Sequence, residues 1–116
     1  MSARDPLVVL AALAGAVAVM AGAYGAHGTS GLPAEWLRTG AQYQLVHAVA
    51  VFAVIGRPMG RVAGWGFVAG GAIFAGTLYA MALGAPHWLG AVTPIGGLLL
   101  ILGWLALAVG AIRADR

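Results

Sequence analysis

The chain of 116 residues has no cysteine and no lysine, and its acidic side chains number three: Asp5, Glu35 and Asp115. Without thiols, disulfides, Cys-ligated zinc and thiol chemistry are excluded. The shortage of carboxylates is equally restrictive. Proton and ion paths through membranes usually carry an acidic group within the bilayer, and here all three acids lie outside the long apolar runs. Charged residues make up 8% of the chain, where a soluble domain has about 25%. Such a chain cannot cover itself with charge, so its solvent must be lipid. All six basic side chains are Arg: Arg4, Arg38, Arg57, Arg61, Arg113 and Arg116. A pI of 10.2 would suit a nucleic-acid binder, but these arginines sit at the ends of apolar runs. That is the pattern of membrane topology rather than of a basic patch, and no nucleic-acid partner is expected.

What is present is mostly hydrocarbon: 62% of residues are hydrophobic, and the mean hydropathy is +0.96. Residues 7–27 carry no charge and are long enough to cross a bilayer core of ~30 Å. Ala21-Gly22-Ala23 resembles a signal-peptide cleavage site, but the run is long for a signal h-region. With the chain beginning at Met1, a retained span is expected. Residues 28–38 form the longest polar interruption. Pro33 and Glu35 suit the first turn of a helix, while Trp36 and Arg38 suit the interface. An interfacial helix start over 33–38 and a second span over 39–56 follow. Arg57-Pro58-Met59-Gly60-Arg61 reads as a tight turn, 62–83 as a third span, 84–88 as a second turn and 89–112 as a fourth span. The expected architecture is all-α: one membrane domain over 1–116, with four transmembrane helices in a compact bundle. Arg4, Arg57, Arg61, Arg113 and Arg116 then share one side, opposite Arg38. The positive-inside rule puts both termini in the cytoplasm.

The nineteen glycines call for a reason, since Gly weakens helices. In lipid, small residues let helices approach closely. Gly96, Gly103 and Gly110 recur every seven residues, as do Gly15 and Gly22, and Gly66 and Gly70 form a GxxxG pair. A period of seven suggests a left-handed bundle with small residues along its seams. Those seams serve packing within the chain, or they dock an oligomer or a larger complex.

The polar residues are unevenly spread. Gln44 and Tyr43 stand three and four residues before His47, so the three share a helix face. His47 lies eight residues beyond Thr39, ~12 Å below the outer interface. Tyr24 and His27 end the first span, Thr77 and Tyr79 lie late in the third, and Thr93 opens the fourth. With Gln42, all nine (Tyr24, His27, Gln42, Tyr43, Gln44, His47, Thr77, Tyr79 and Thr93) fall in the outer half, while the inner half is nearly featureless. Unpaired polar groups are costly in hydrocarbon, so His47 is expected to pack against the first or third helix. One of Tyr24, Tyr43, Gln44, Thr77 or Tyr79 should lie within hydrogen-bond reach of it.

Each group also has a plain structural role. Tyr24 and Tyr79 suit interfacial anchors, His27 before Gly28 suits a helix end, and His47 suits a neutral bonded residue. Glu35 and Arg38 make a surface pair. The absent spacings exclude more than the present ones establish. No Ser-His or acidic-dyad pattern appears, so no catalytic residue and no enzyme activity are expected. With no Cys and no acid within a span, no metal or other cofactor is expected. A pocket for a lipid or quinone headgroup needs only hydrogen-bonding groups and aromatics.

Several segments together resemble a known family. They are Gly22 to His27 (GAYGAH), Trp36 to His47 (WLRTGAQYQLVH), Thr77-Leu78-Tyr79 with Ala82-Leu83, Thr93 to Gly97 (TPIGG), Gly103-Trp104 and Gly110 to Arg113 (GAIR). The family is the YgdD-like group of small inner-membrane proteins of unknown function, with relatives in animal mitochondria. The resemblance covers nearly the whole chain and implies a four-helix integral membrane protein, without an activity, substrate or cofactor. Family members often have Phe where Tyr24 stands and Ser-Gly-Ser-Leu-Tyr where Ala75 to Tyr79 stand. The hydroxyl of Tyr24 is therefore not expected to be essential.

The functional expectation is a multi-pass protein of the bacterial plasma (inner) membrane, surrounded by membrane lipid. It would act without catalysis, as a homo-oligomer or an accessory subunit of a larger membrane complex. The alternative is a lipid- or quinone-binding protein with an outer-half pocket around His47. Transport of a small molecule or ion stands third.

Overall fold

The computed structural model describes residues 4–114; Asp115, and Arg116 used above for topology, lie outside them. Four α-helices run in order: α1 (Pro6–His27), α2 (Gly31–Val54), α3 (Gly60–Ala82) and α4 (Thr93–Arg113), with a 3-10 turn His87–Ala91 ahead of α4. Among the described residues there is no strand.

Local chemistry sets the ends. Asp5 caps α1 by accepting a hydrogen bond from the Leu7 N–H (3.0 Å), with Pro6 in the first turn. α2 starts at Gly31, earlier than Pro33. Gly31 has φ +66°, a left-handed conformation open to glycine, and it turns the chain into the new helix directly after Ser30. α3 closes on Gly84, at φ +106°. The Gly84 N–H donates to the Met81 carbonyl (3.1 Å) and the Ala85 N–H to the Ala80 carbonyl (2.9 Å), the paired bonds of a Schellman end. The fourth helix begins at Thr93 rather than at 89. A helix running from 89 would place Pro94 in its interior, where it lacks an N–H and its ring strikes the preceding turn. The chain instead makes a 3-10 turn, and Pro94 falls in the first turn of α4.

Three segments are long and apolar enough to cross a membrane: Pro6–His27, Gly60–Ala82 and His87–Arg113. α2 is not among them, because Glu35, Arg38, Gln42, Gln44 and His47 dilute its apolar content.

The helices pack as antiparallel neighbours, α1 on α2, α2 on α3 and α3 on α4, with α1 also touching α3. The shape is flattened, 51 × 30 × 18 Å, rather than a closed ring of four. α1, α2 and α3 form one group, and α4 packs on α3, reaching α2 through side chains such as Trp104. Glycine seams hold these pairs. Ideal Cβ atoms at Gly15 and Gly22 would meet Ala48 (4.0 Å) and Ala41 (3.5 Å) of α2. Gly66 and Gly70 face Gly103, Leu99 and Gly96 of α4, and Gly110 lies on the Pro58 carbonyl. All seven glycines of the expected stripes are thus covered by this chain's own residues. The apolar core of Leu7, Ala11, Ala50, Val51, Ala63, Phe67 and Leu100 fills the half nearer the arginine-rich end.

Asp5 also ties α1 to α3. Arg61 donates to both of its carboxylate oxygens, at 2.8 and 3.1 Å. This guanidinium, aided by the Leu7 N–H and opposed by desolvation, holds the Asp5 carboxyl below its ordinary 3.8. An acid depressed in the folded state contributes stability that is present above its unfolded value and lost as pH falls through the folded one. Asp5→Asn keeps the cap and removes the charge. In thermal unfolding, wild type should exceed this variant modestly at neutral pH, and the gap should close below about pH 4.

Candidate functional site

Five of the nine expected polar side chains are joined in three clasps between helices. The first links α2 to α3: the Tyr79 hydroxyl donates to Gln44 Oε1 at 2.8 Å. Gly40 makes room for it, since a Cβ there would lie 2.7 Å from the Tyr79 ring. The second links α3 to α4 through the Thr77 and Thr93 hydroxyls, 2.6 Å apart. Thr77 is also bonded to the Ile73 carbonyl (2.9 Å) and Thr93 to the Leu89 carbonyl (3.3 Å). One proton of the hydroxyl pair spans the helices, and the other satisfies a backbone carbonyl.

The third clasp contains His47. Its Nδ1 lies 2.7 Å from the Tyr43 carbonyl, and its Nε2 accepts from the Trp104 indole N–H at 2.9 Å. A carbonyl only accepts and an indole only donates. The imidazole is therefore the neutral Nδ1–H tautomer, and both of its nitrogens are occupied. The ring is 6% exposed and is held edge-on by Phe67 (5.2 Å between centroids) and Trp104 (5.7 Å). His47 therefore packs against α3 and α4 rather than α1. From the five residues expected to partner it, it takes only the backbone carbonyl of Tyr43.

Gln44, His47, Thr77, Tyr79 and Thr93 lie in these clasps; Tyr24, His27 and Gln42 do not. Tyr24 is 47% exposed and its ring covers Gly28. His27 and Gln42 are exposed. Tyr43 contributes its carbonyl and lays its ring on Phe74 (4.9 Å), but its hydroxyl has no hydrogen-bond partner among the described residues. Trp104 was missed as a partner. Its signal was depth: a Trp eleven residues past Thr93 and nine before Arg113 is far from the interfaces where Trp collects, so its N–H needs an acceptor. At the end of the bundle away from Arg57 and Arg61, Trp36 meets His87 edge-on at 5.2 Å, another contact not foreseen. Among the described residues no group of three His, Cys, Asp or Glu side chains could hold a metal ion.

Because α4 lies against α3, a groove runs between α2 and α4. The His47–Trp104 bond crosses it and divides it in two. The outer cleft, about 370 Å3, is lined by Tyr43, His47, Phe74, Gly97, Ile101 and Trp104 among others. A smaller recess of about 280 Å3 adjoins it at Gln42, Tyr43, Val46 and His47. The inner part, about 460 Å3, runs from Trp104 to Arg57 and Pro58.

Fold and site together define a small all-helical membrane protein with a polar seam joining three of its helices. The family described as Protein of unknown function (DUF423) matches residues 21–97, and the chain belongs to it. Relatives along nearly the whole length agree. The chain is 34% identical to a UPF0382 membrane protein of Haemophilus influenzae, over 96% of this chain and 97% of that protein. It is 36% identical to the UPF0382 membrane protein YwdK of Bacillus subtilis, over 91% and 95%. It is 32% identical to the UPF0382 inner membrane protein YgdD of Escherichia coli K12, over 95% and 92%. The resemblance read from the motifs therefore holds, and the chain is a multi-pass protein of the bacterial inner membrane. No solved structure matches it.

Proposed function

We propose that this protein binds, without chemical conversion, a hydrophobic molecule with a hydrogen-bond-accepting head, of the lipid or quinone class, in the outer cleft beside His47. The observation that carries the reading is the Tyr43 hydroxyl. The clasped side chains are closed on one another, and the His47 nitrogens are both occupied. Tyr43 stands at the cleft with its donor unused and an aromatic wall beside it. A volume of about 370 Å3 falls within the usual range for small-ligand sites, roughly 300–1,000 Å3. A quinone carbonyl or a lipid ester would accept from Tyr43.

The test is detergent-free extraction in a polymer disc, followed by mass spectrometry of the molecules that remain bound. Gly97→Leu should fill the cleft without disturbing the fold, because a Cβ there meets only the Phe74 ring, at 3.9 Å. One class of molecule is expected with wild type and not with Gly97→Leu. Tyr43→Phe should retain about fivefold less, the loss of one hydrogen bond. The same set of molecules in all three preparations would end this reading.

The proposed setting is four crossings. α2 lies antiparallel between α1 and α3, which qualify as spans, and so shares their depth. Both termini are then cytoplasmic by the arginine count. A reporter fused at residue 116 should report inside, and one in the 85–88 turn outside. A homo-oligomer or an accessory role in a larger complex is the second reading. It rests on the open side between α1 and α4, since the glycine seams are occupied within the chain. Crosslinking in native membranes would reveal it, and a strict monomer without partners would remove it.

A further inference from the structure

We propose that the inner part of the α2–α4 groove is a separate site for one anionic phospholipid from the arginine-rich leaflet, its phosphate on Arg57 and one acyl chain running to Trp104. The groove of about 460 Å3 has Arg57 and Pro58 at its mouth, Ala53, Val54, Leu107, Ala108 and Ala111 along its walls, and the Trp104 ring at its deep end. Trp104 and Ala111 are two helical turns apart, ~10 Å, a large part of one leaflet's hydrocarbon depth of ~15 Å. Aliphatic walls make an apolar channel, open sideways to lipid.

Charge selects the occupant. Arg61 is engaged by Asp5. The Arg57 side chain has no ion pair or hydrogen bond among the described residues, although it is fixed in the short turn between α2 and α3. The turn is held in place by α4: Gly110 lies on the Pro58 carbonyl, which brings Arg113, one turn further along, to the same interface. An apolar channel ending at a guanidinium with no partner among the described residues matches a molecule with a hydrocarbon chain and one phosphate. A zwitterionic headgroup brings its own cation, which competes with Arg57 for that phosphate; phosphatidylglycerol does not.

The site lies on the opposite side of the His47–Trp104 bond from the outer cleft, so the two proposals stand or fall separately. Trp104 also serves as the probe. In a full-length chain carrying Trp36→Phe, Trp65→Phe and Trp88→Phe, all tryptophan fluorescence comes from Trp104. This protein is reconstituted in phosphatidylcholine vesicles containing a fixed minor fraction of either brominated phosphatidylglycerol or brominated phosphatidylcholine. Bromine on the acyl chain quenches an adjacent indole. The site should be enriched in phosphatidylglycerol about fivefold, the factor one arginine at an anionic surface supplies, and quenching should rise accordingly. Arg57→Gln should make the two lipids equal, and Arg57→Lys should retain the preference. Ala108→Phe, at an exposed position, blocks the channel without altering charge and should also abolish it. Gly97→Leu should leave it intact. Equal quenching by both lipids in the parent protein would overturn the proposal. So would a preference that survives either Arg57→Gln or Ala108→Phe, since the lipid would then be held by diffuse surface charge.

Discussion

Gly96→Ala is expected to separate α4 from α3 and to lower stability by about 3 kcal/mol. A Cβ at Gly96 would stand 2.7 Å from the Gly70 carbonyl oxygen and would collide with the backbone of Phe74. These are main-chain atoms of a helix and cannot rotate away. The close approach is reciprocal, since a Cβ at Gly70 would lie 2.8 Å from the Gly96 carbonyl oxygen. The overlap outweighs the gain of about 1 kcal/mol that Ala brings to a helix interior. Gly76→Ala supplies the comparison. That glycine also lies within α3, but nothing stands within 4 Å of its Cβ position. The same substitution there should be neutral or stabilising by up to about 1 kcal/mol. Reversible unfolding in mixed micelles, monitored by circular dichroism, measures both. Equal effects at the two positions would mean that the α3–α4 seam is not where the structure puts it.

The second large effect is expected at the bond that divides the groove. Trp104→Phe leaves His47 Nε2 without its donor, and His47→Leu leaves the indole N–H without its acceptor. Each should cost about 1–3 kcal/mol, the penalty of a polar group left unpaired where neither protein nor lipid offers a partner. The double variant removes both polar groups and should recover much of that loss, because an apolar pair of similar shape requires no hydrogen bond. The coupling should therefore be substantial, near the upper end of measured membrane values at about 1.5 kcal/mol. Additive losses in the same unfolding assay would show that the bond contributes nothing as a pair. His47→Leu should still insert, since it makes α2 more apolar, but it should alter whatever the outer cleft binds. If folding, ligand retention and partner binding all stayed unchanged, the cluster would have no role in function.

The same residues show how far the linear chain can be read. Charge scarcity and long apolar runs specify a membrane protein, because each residue's cost in lipid adds along the segment without reference to any other. The turns were legible for a similar reason: Pro58, Gly84 and Pro86 act on their own backbone. Even so, Pro94 moved the start of α4 to Thr93, and Gly31 moved the start of α2 ahead of Pro33. Placing the polar groups toward one end of the bundle also followed from counting residues, since rise per residue is fixed.

Pairing was not legible. Gln44 meets Tyr79 thirty-five positions away, and His47 meets Trp104 fifty-seven away. Nothing in a helix's own period says which neighbour lies across from it. Trp104 was passed over because its ring is hydrophobic and it sits in an apolar run, and its single polar atom acquires meaning only once α4 lies beside α3. The glycine stripes are a sharper case. Their seven-residue spacing is the same whether they meet this chain or another, and only the positions of Ala41, Ala48, Gly70 and Pro58 in space assign them to internal seams. The sequence by itself determined the solvent, the number of helices and the end of the bundle that holds the polar groups, because these follow from sums over local segments. The clasps, the groove between α2 and α4 and its division by the His47–Trp104 bond were decided by tertiary structure alone, because they depend on which helix faces meet.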